Sequence, residues 1–123
     1  MLKNLEAAVV EQQETHREAS GKEGLIMDFL NKPVPENWEQ MDLTKRRMFL
    51  SGGLHIEGAL HIRDRICAVE IWAECFGGDL KFMKRSDSME INNILLHGKW
   101  QRISTPRNFG PYGQQRGFAR PAT

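Results

Sequence analysis

Apolar residues recur along this chain in short bursts at helical spacing, each broken by proline or glycine, until the last 25 residues change to a strand-and-turn texture. Residues 2–19 hold no Gly or Pro and are rich in Ala, Glu, Gln and Leu, which predicts a first helix. Its stripe is Leu2, Leu5, Ala8 and Val9; after Val10 the run EQQETHRE is polar, so only its first half can bury a face. KEGLIMDFLN predicts a second helix with Leu25, Ile26, Phe29 and Leu30 on one side. Pro33 and Pro35 in KPVPENW force an extended connector, which Trp38 is expected to anchor on a core. Asp42 is a good N-cap for a third helix, DLTKRRMFLS, in which Leu43, Arg47 and Leu50 share a side and Met48 and Phe49 add apolar surface. The run Lys45, Arg46, Arg47 reads as a solvated face. Gly52, Gly53 and Gly58 then loosen the chain and predict a boundary at 52–58, between a helical arm (1–58) and a second domain (59–123).

In the second half, ALHIR (59–63) predicts a short strand leading into Asp64 as cap of a helix, RICAVEIWAECFG. Ile66, Val69, Trp72, Ala73 and Phe76 form its buried stripe, Glu70 and Glu74 point away, and Gly77-Gly78 stop it. A short turn, LKFMKR, precedes a further helix, SMEINNILLHG, with Ser86 or Asp87 as cap, an Asp87/Glu90 capping-box spacing and Gly98 as its end. Ile91, Ile94 and Leu95 are its buried stripe; Met89, Asn93, Leu96 and His97 face outward, with Glu90 and Asn92 at the edges. KWQRIS and QRGFAR predict two strands around the loop TPRNFGPYGQ, a β-hairpin.

Charge sharpens the division. The net charge of +1 hides seven Lys/Arg against ten Asp/Glu in residues 1–59, and ten against six in residues 60–123. From residue 99 onward Lys99, Arg102, Arg107, Arg116 and Arg120 meet no acidic residue, the charge pattern that phosphate-backbone binding requires and also that of a solvated tail. The 40% hydrophobic and 27% charged fractions are those of a folding chain. No apolar run approaches the roughly 18–20 residues of a membrane span, and MLKNLEAAVVEQQE lacks the parts of a signal peptide, so a cytoplasmic protein is expected.

Catalytic chemistry is not expected. Cys67 and Cys75, eight residues apart in one expected helix, lie about 12 Å apart at 1.5 Å per residue, too far for a disulfide, and read as small buried hydrophobes. His16, His55, His61 and His97 are scattered without metal-ligand spacing. Glu70 and Glu74, one turn apart, could mimic a catalytic carboxylate pair but read as solvated charge. No cofactor is called for, and SGKEG at 20–24 lacks the glycine spacing and hydroxyl of a phosphate-binding loop.

The expected order of strand, helix, short helix, helix, strand, loop and strand is that of a winged helix-turn-helix, so the fold class expected is α+β, mostly helical, with a small hairpin wing. In that plan Asn92, Asn93 and His97 face the bases, with asparagine suited to adenine, and Lys99, Arg102, Arg107, Arg116 and Arg120 serve phosphates or a narrow minor groove. CAVEIWAECFGGDLKFMKRSDSMEIN followed by FGPYGQQRGFAR resembles the C-terminal region of the virulence-associated protein E family, and LNKPVPENWEQMDLTKRRMFL resembles the segment upstream; together the likeness spans about residues 10–121. The resemblance implies a DNA replication role in a bacterial or phage-infected cell, with Arg107, Tyr112, Gln115, Arg116 and Arg120 as wing residues. It also implies duplex DNA, such as a replication origin, and a P-loop ATPase domain, upstream or separate, as partners. Met89 on the reading face departs from what base contact favours, and Met89 with Leu96 supports an alternative: a protein-docking module for such an ATPase or partner, or an oligomerising one through its N-terminal helices.

Overall fold

The computed structural model describes residues 21–122, so the expected helix at 2–19 lies outside the described residues. Helix α1 covers residues 21–30 and buries Ile26, Phe29 and Leu30, while Leu25, expected on the same side, is exposed. Past Pro33 the chain runs extended through β1 (Val34–Pro35) into a 3₁₀ turn, Trp38–Gln40. Trp38 is buried edge-on to Phe49, 5.7 Å between ring centroids, in a small core with Val34 and Met41, as its place after the prolines predicts. Helix α2 (Leu43–Leu50) starts at the expected cap, the Asp42 carboxylate accepting from the Lys45 N–H at 2.8 Å.

The next elements differ from the expected ones. Within ALHIR, β2 (Leu60–His61) pairs with β1, Val34 opposite His61, and the segment expected to open a helix begins as strand β3 (Arg65–Cys67). Tertiary pairing decides this: β3 lies antiparallel to β7 (Gly117–Ala119), with Ile66 opposite Phe118 and Cys67 opposite Gly117. Asp64 therefore caps nothing; its carbonyl accepts from the Arg120 N–H, and the helix cap is Cys67, in extended conformation. Helix α3 is α-helical over Ala68–Glu70 and π-helical over Ile71–Cys75, where the Phe76 N–H reaches back to the Ile71 carbonyl at 3.1 Å. Such a wide turn rotates the faces away from simple 3.6-residue spacing.

A 3₁₀ turn (Leu80–Phe82), capped by Asp79, leads to α4 (Arg85–His97). The cap of α4 is Lys84, and the carboxylate three residues on, Asp87, accepts its N–H at 2.9 Å, so the capping pair sits one turn earlier than Asp87/Glu90. Glu90 pairs with Lys22 of α1 instead. Helix α4 ends in a Schellman turn: the Trp100 N–H bonds the Leu95 carbonyl and the Lys99 N–H that of Leu96, with Lys99 left-handed at φ 71. Strands β4 (Gln101–Arg102), β5 (Arg107–Asn108), β6 (Gln114–Gln115) and β7 follow. The three-stranded sheet runs β3-β7-β4, and β5 pairs β6 within the loop between β4 and β7.

Among the described residues the fold is α+β: four helices and small antiparallel sheets. The main core joins Ile26, Phe29 and Leu30 of α1 to Ile66, Ile71, Ile91, Leu95, Trp100 and Phe118, so apolar packing runs across the glycine-containing connector at 52–58 where a boundary was expected. Leu50 of α2 touches both this core and the Trp38 core. Arg120 ties the end of the chain to α1: its guanidinium donates to the carbonyls of Arg63 (2.7 Å) and Leu30 (2.6 Å) and to Asn31 Oδ1, and lies over the Trp100 ring. A cation at those carbonyls also complements the C-terminal end of α1.

Candidate nucleic-acid interface

The loop between β4 and β7 does not project freely. Gly110 and Gly113, at φ 56 and 71, bend the tip through a 3₁₀ turn (Gly110–Tyr112), and the tip packs back on Arg46 and the Trp38–Gln40 turn. A Cβ at Gly110 would meet the Arg46 guanidinium and lie 2.9 Å from the Glu39 carbonyl oxygen, so only glycine allows this approach. Below the tip lies a buried ionic cluster. Arg46, 0% exposed, donates Nε and Nη2 to the Trp38 carbonyl at 3.2 and 2.8 Å, and Nη1 to Glu70 at 3.0 Å and Glu74 at 2.8 Å. The Tyr112 hydroxyl donates to Glu74 at 2.6 Å.

Three expectations fall here. Arg46 is not on a solvated face, and the carboxylates of Glu70 and Glu74 do not point away; both sit under the loop tip. The π turn and the arginine four residues into α2 place all three charges inside, where a lone charge would be costly but a hydrogen-bonded cluster is tolerated. Arg47 also faces inward, donating to the carbonyls of Ala73 and Gly78. Burial, reinforced by the charge of Glu74 and outweighing the attraction of Arg63 and Arg46, pushes the Glu70 carboxyl up to about 7. Burial likewise raises the Tyr112 hydroxyl and the Cys67 thiol, and brings Cys75 to about 11. The two cysteines are free, Cys67 at the end of β3 rather than in the helix. Glu70 is no free base, since one oxygen accepts from Arg46 and the other faces the Cys67 thiol at 3.7 Å.

The expected contact residues therefore divide. Tyr112 and Arg120 are committed to internal bonds. Asn93 and His97 lie on the outer face of α4 with Met89 and Leu96, and His97 is 3.5 Å from Glu23. Lys99 is exposed in the turn after α4; Arg102 is exposed on β4 over the Phe118 ring; Arg107 is exposed on β5 opposite Gln115. Asn92, Gln115 and Arg116 are brought together. They line a groove of about 690 Å³ between the start of α4 and β6, with Lys84, Arg85 and Ser88 on the helix side, Gln114 and Pro106 on the hairpin side, and Ala68, Val69, Leu80 and Met83 also lining it. Among the described residues, three cations and four uncharged polar side chains line it, without a carboxylate.

Lys84, Arg85 and Ser88 were not expected at the interface. Their signal in the sequence is the pair Lys84-Arg85 directly before a helix, which reads as part of a turn unless the helix start is placed at residue 85. Gln115 is held in place by its own bond to the Tyr112 carbonyl at 3.0 Å. Thus the buried Arg46–Glu74–Tyr112 chain fixes the hairpin, and the hairpin sets the far wall of the groove. No helix among the described residues is long and apolar enough to cross a membrane. No protein-family model matches the chain, and no curated protein matches it either.

Proposed function

We propose that this chain is a non-catalytic DNA-binding module of winged-helix type, and that duplex DNA lies along the groove between α4 and the β5–β6 hairpin. The observation that carries this reading is the groove lining: Lys84, Arg85 and Arg116 around Ser88, Asn92, Gln114 and Gln115, with no carboxylate among the described lining residues to repel a phosphate. The three cations serve backbone oxygens, which positions the duplex, and the amides are the groups that hydrogen-bond base edges. Placement of β7 between β3 and β4, with α3 and α4 between β3 and β4 in sequence, supports the winged-helix reading. The resemblance to the C-terminal region of the virulence-associated protein E family supports replication as the setting, with an origin duplex and a P-loop ATPase as partners.

The test is binding of a labelled duplex by the Lys84→Ala/Arg85→Ala/Arg116→Ala variant. All three residues are exposed, so stability should hold. At roughly 1 kcal/mol per phosphate contact, affinity should fall about 100-fold. Equal affinity in the variant would remove the groove from the account. A second reading, docking of a partner protein, is favoured by the exposed apolar side chains Phe82 (67% exposed), Met89 (54%) and Leu96 (40%). Replacing those three with serine would abolish partner capture and leave duplex binding intact.

A further inference from the structure

A second cavity, of about 390 Å³, is lined by Val34, Trp38, Glu39, Arg63, Arg65 and Glu70 among others and has no part in the groove. Among the described residues six buried side-chain N or O atoms have no hydrogen-bond partner, and five of them belong to three of these lining residues: Trp38 Nε1, Glu39 Oε2, and Nε, Nη1 and Nη2 of Arg63. Arg63 is 4% exposed and lies with its guanidinium 4.3 Å from the Phe29 ring centroid and 5.5 Å from that of Trp38. The rings offset part of its desolvation, but they accept none of its N–H groups. Each buried donor left unpaired costs on the order of 1–3 kcal/mol, so an unfilled set of four is a strong demand for an acceptor.

We propose that this cavity binds a small oxyanion, a phosphate or carboxylate group, through the Arg63 guanidinium and the Trp38 indole N–H. The unpaired groups are donors except for Glu39 Oε2, and that oxygen is 3.5 Å from Arg65. Four carboxylates line the cavity, and two are already engaged: Glu39 with Arg65, and Glu70 with Arg46 and Cys67. Glu36 and Asp64 are exposed, where water and salt screen them, and His61 is exposed beside them. At roughly 30 Å³ per water the cavity has room for about a dozen waters, and so for a phosphate. Guanidinium is the side chain whose fork matches such oxygens. Of the charges acting on Arg63, that of Glu70, which lines the same cavity, is the strongest. Because burial lifts the Glu70 carboxyl to about 7, its protonation below that pH removes a negative charge from the cavity wall, and oxyanion binding tightens as pH falls through it.

The experiment is a titration of the whole chain followed by the indole N–H resonances, with sodium phosphate, sodium acetate and sodium chloride at matched ionic strength. The Trp72 indole, which donates to the Asp79 carbonyl at 2.8 Å, is the internal control. A shift of the Trp38 signal with millimolar phosphate or acetate, with Trp72 unmoved and chloride without effect, is the expected result; which of the two acts identifies the oxyanion. No movement of Trp38, or equal movement with chloride, overturns the proposal and leaves the cavity to water. Arg63→Lys, which keeps the charge and loses the fork, should weaken the response about tenfold.

Discussion

Lys99 holds a left-handed backbone that glycine adopts at no steric cost, while Gly98, the residue expected to end the helix, sits at φ −81 as its C-cap. Lys99→Gly should therefore raise stability by about 0.5–1 kcal/mol in chemical denaturation. The buried cluster gives a second set of residue-scale outcomes. Arg46→Met leaves two facing carboxylates without their donor and should cost about 3–5 kcal/mol, while adding Glu70→Gln and Glu74→Gln should recover much of that loss. Tyr112→Phe, which removes one bond to a carboxylate, should cost about 1.5–3 kcal/mol. The pH dependence follows from Glu70: its carboxyl titrates near 7 when folded and near 4.5 when unfolded, so the folded state holds a proton the unfolded chain has released. Stability contributed by Glu70 is full below about 4.5 and is lost as pH rises through 7, and Glu70→Gln should flatten that slope in urea midpoints measured across this window. None of this was legible from spacing, because an i, i+4 pair of glutamates reads as solvent-facing until the π turn and the packing of α2 are known.

At the scale of elements, α1, α2 and most of α4 were the legible part. Trp38, the Asp42 cap, the stripe of α4 and the β4–β7 pairing follow from local pattern. The β3 segment reads as helix because Ile66 fits the helical stripe as well as a strand; only pairing with residues 50 to 54 positions away distinguishes the two. That pairing is tight at Gly117, where a Cβ would strike the Phe109 ring and come 2.9 Å from the Ile66 carbonyl oxygen. Gly117→Ala should cost about 1–3 kcal/mol, seen as a lower thermal midpoint, and an unchanged midpoint would contradict the close packing of β7 on Phe109 and Ile66. For the groove, Asn92, Gln115 and Arg116 were readable as residue types on the expected elements, whereas Lys84 and Arg85 needed the true start of α4, and Ser88, already on the expected helix, needed the position of the hairpin.

On the scale of the whole molecule, a net charge of +1 carries little information about partners, because seven Lys/Arg are outnumbered by ten Asp/Glu in residues 1–59 while the groove's positive lining is local. Tyr112 and Arg120, expected to touch DNA, make internal bonds that hold the loop tip and the chain end in place, and the proposed contact surface is the groove, with Arg107 on the neighbouring strand. Arg107→Ala/Arg116→Ala should weaken duplex binding with little change in thermal stability. The most direct test is the salt dependence of wild-type binding to a labelled duplex. With about four to six phosphates neutralised, the plot of log Kobs against log salt should have a slope of about −4 to −5. A flat plot, or no binding at low salt, would contradict the assignment of the groove to DNA.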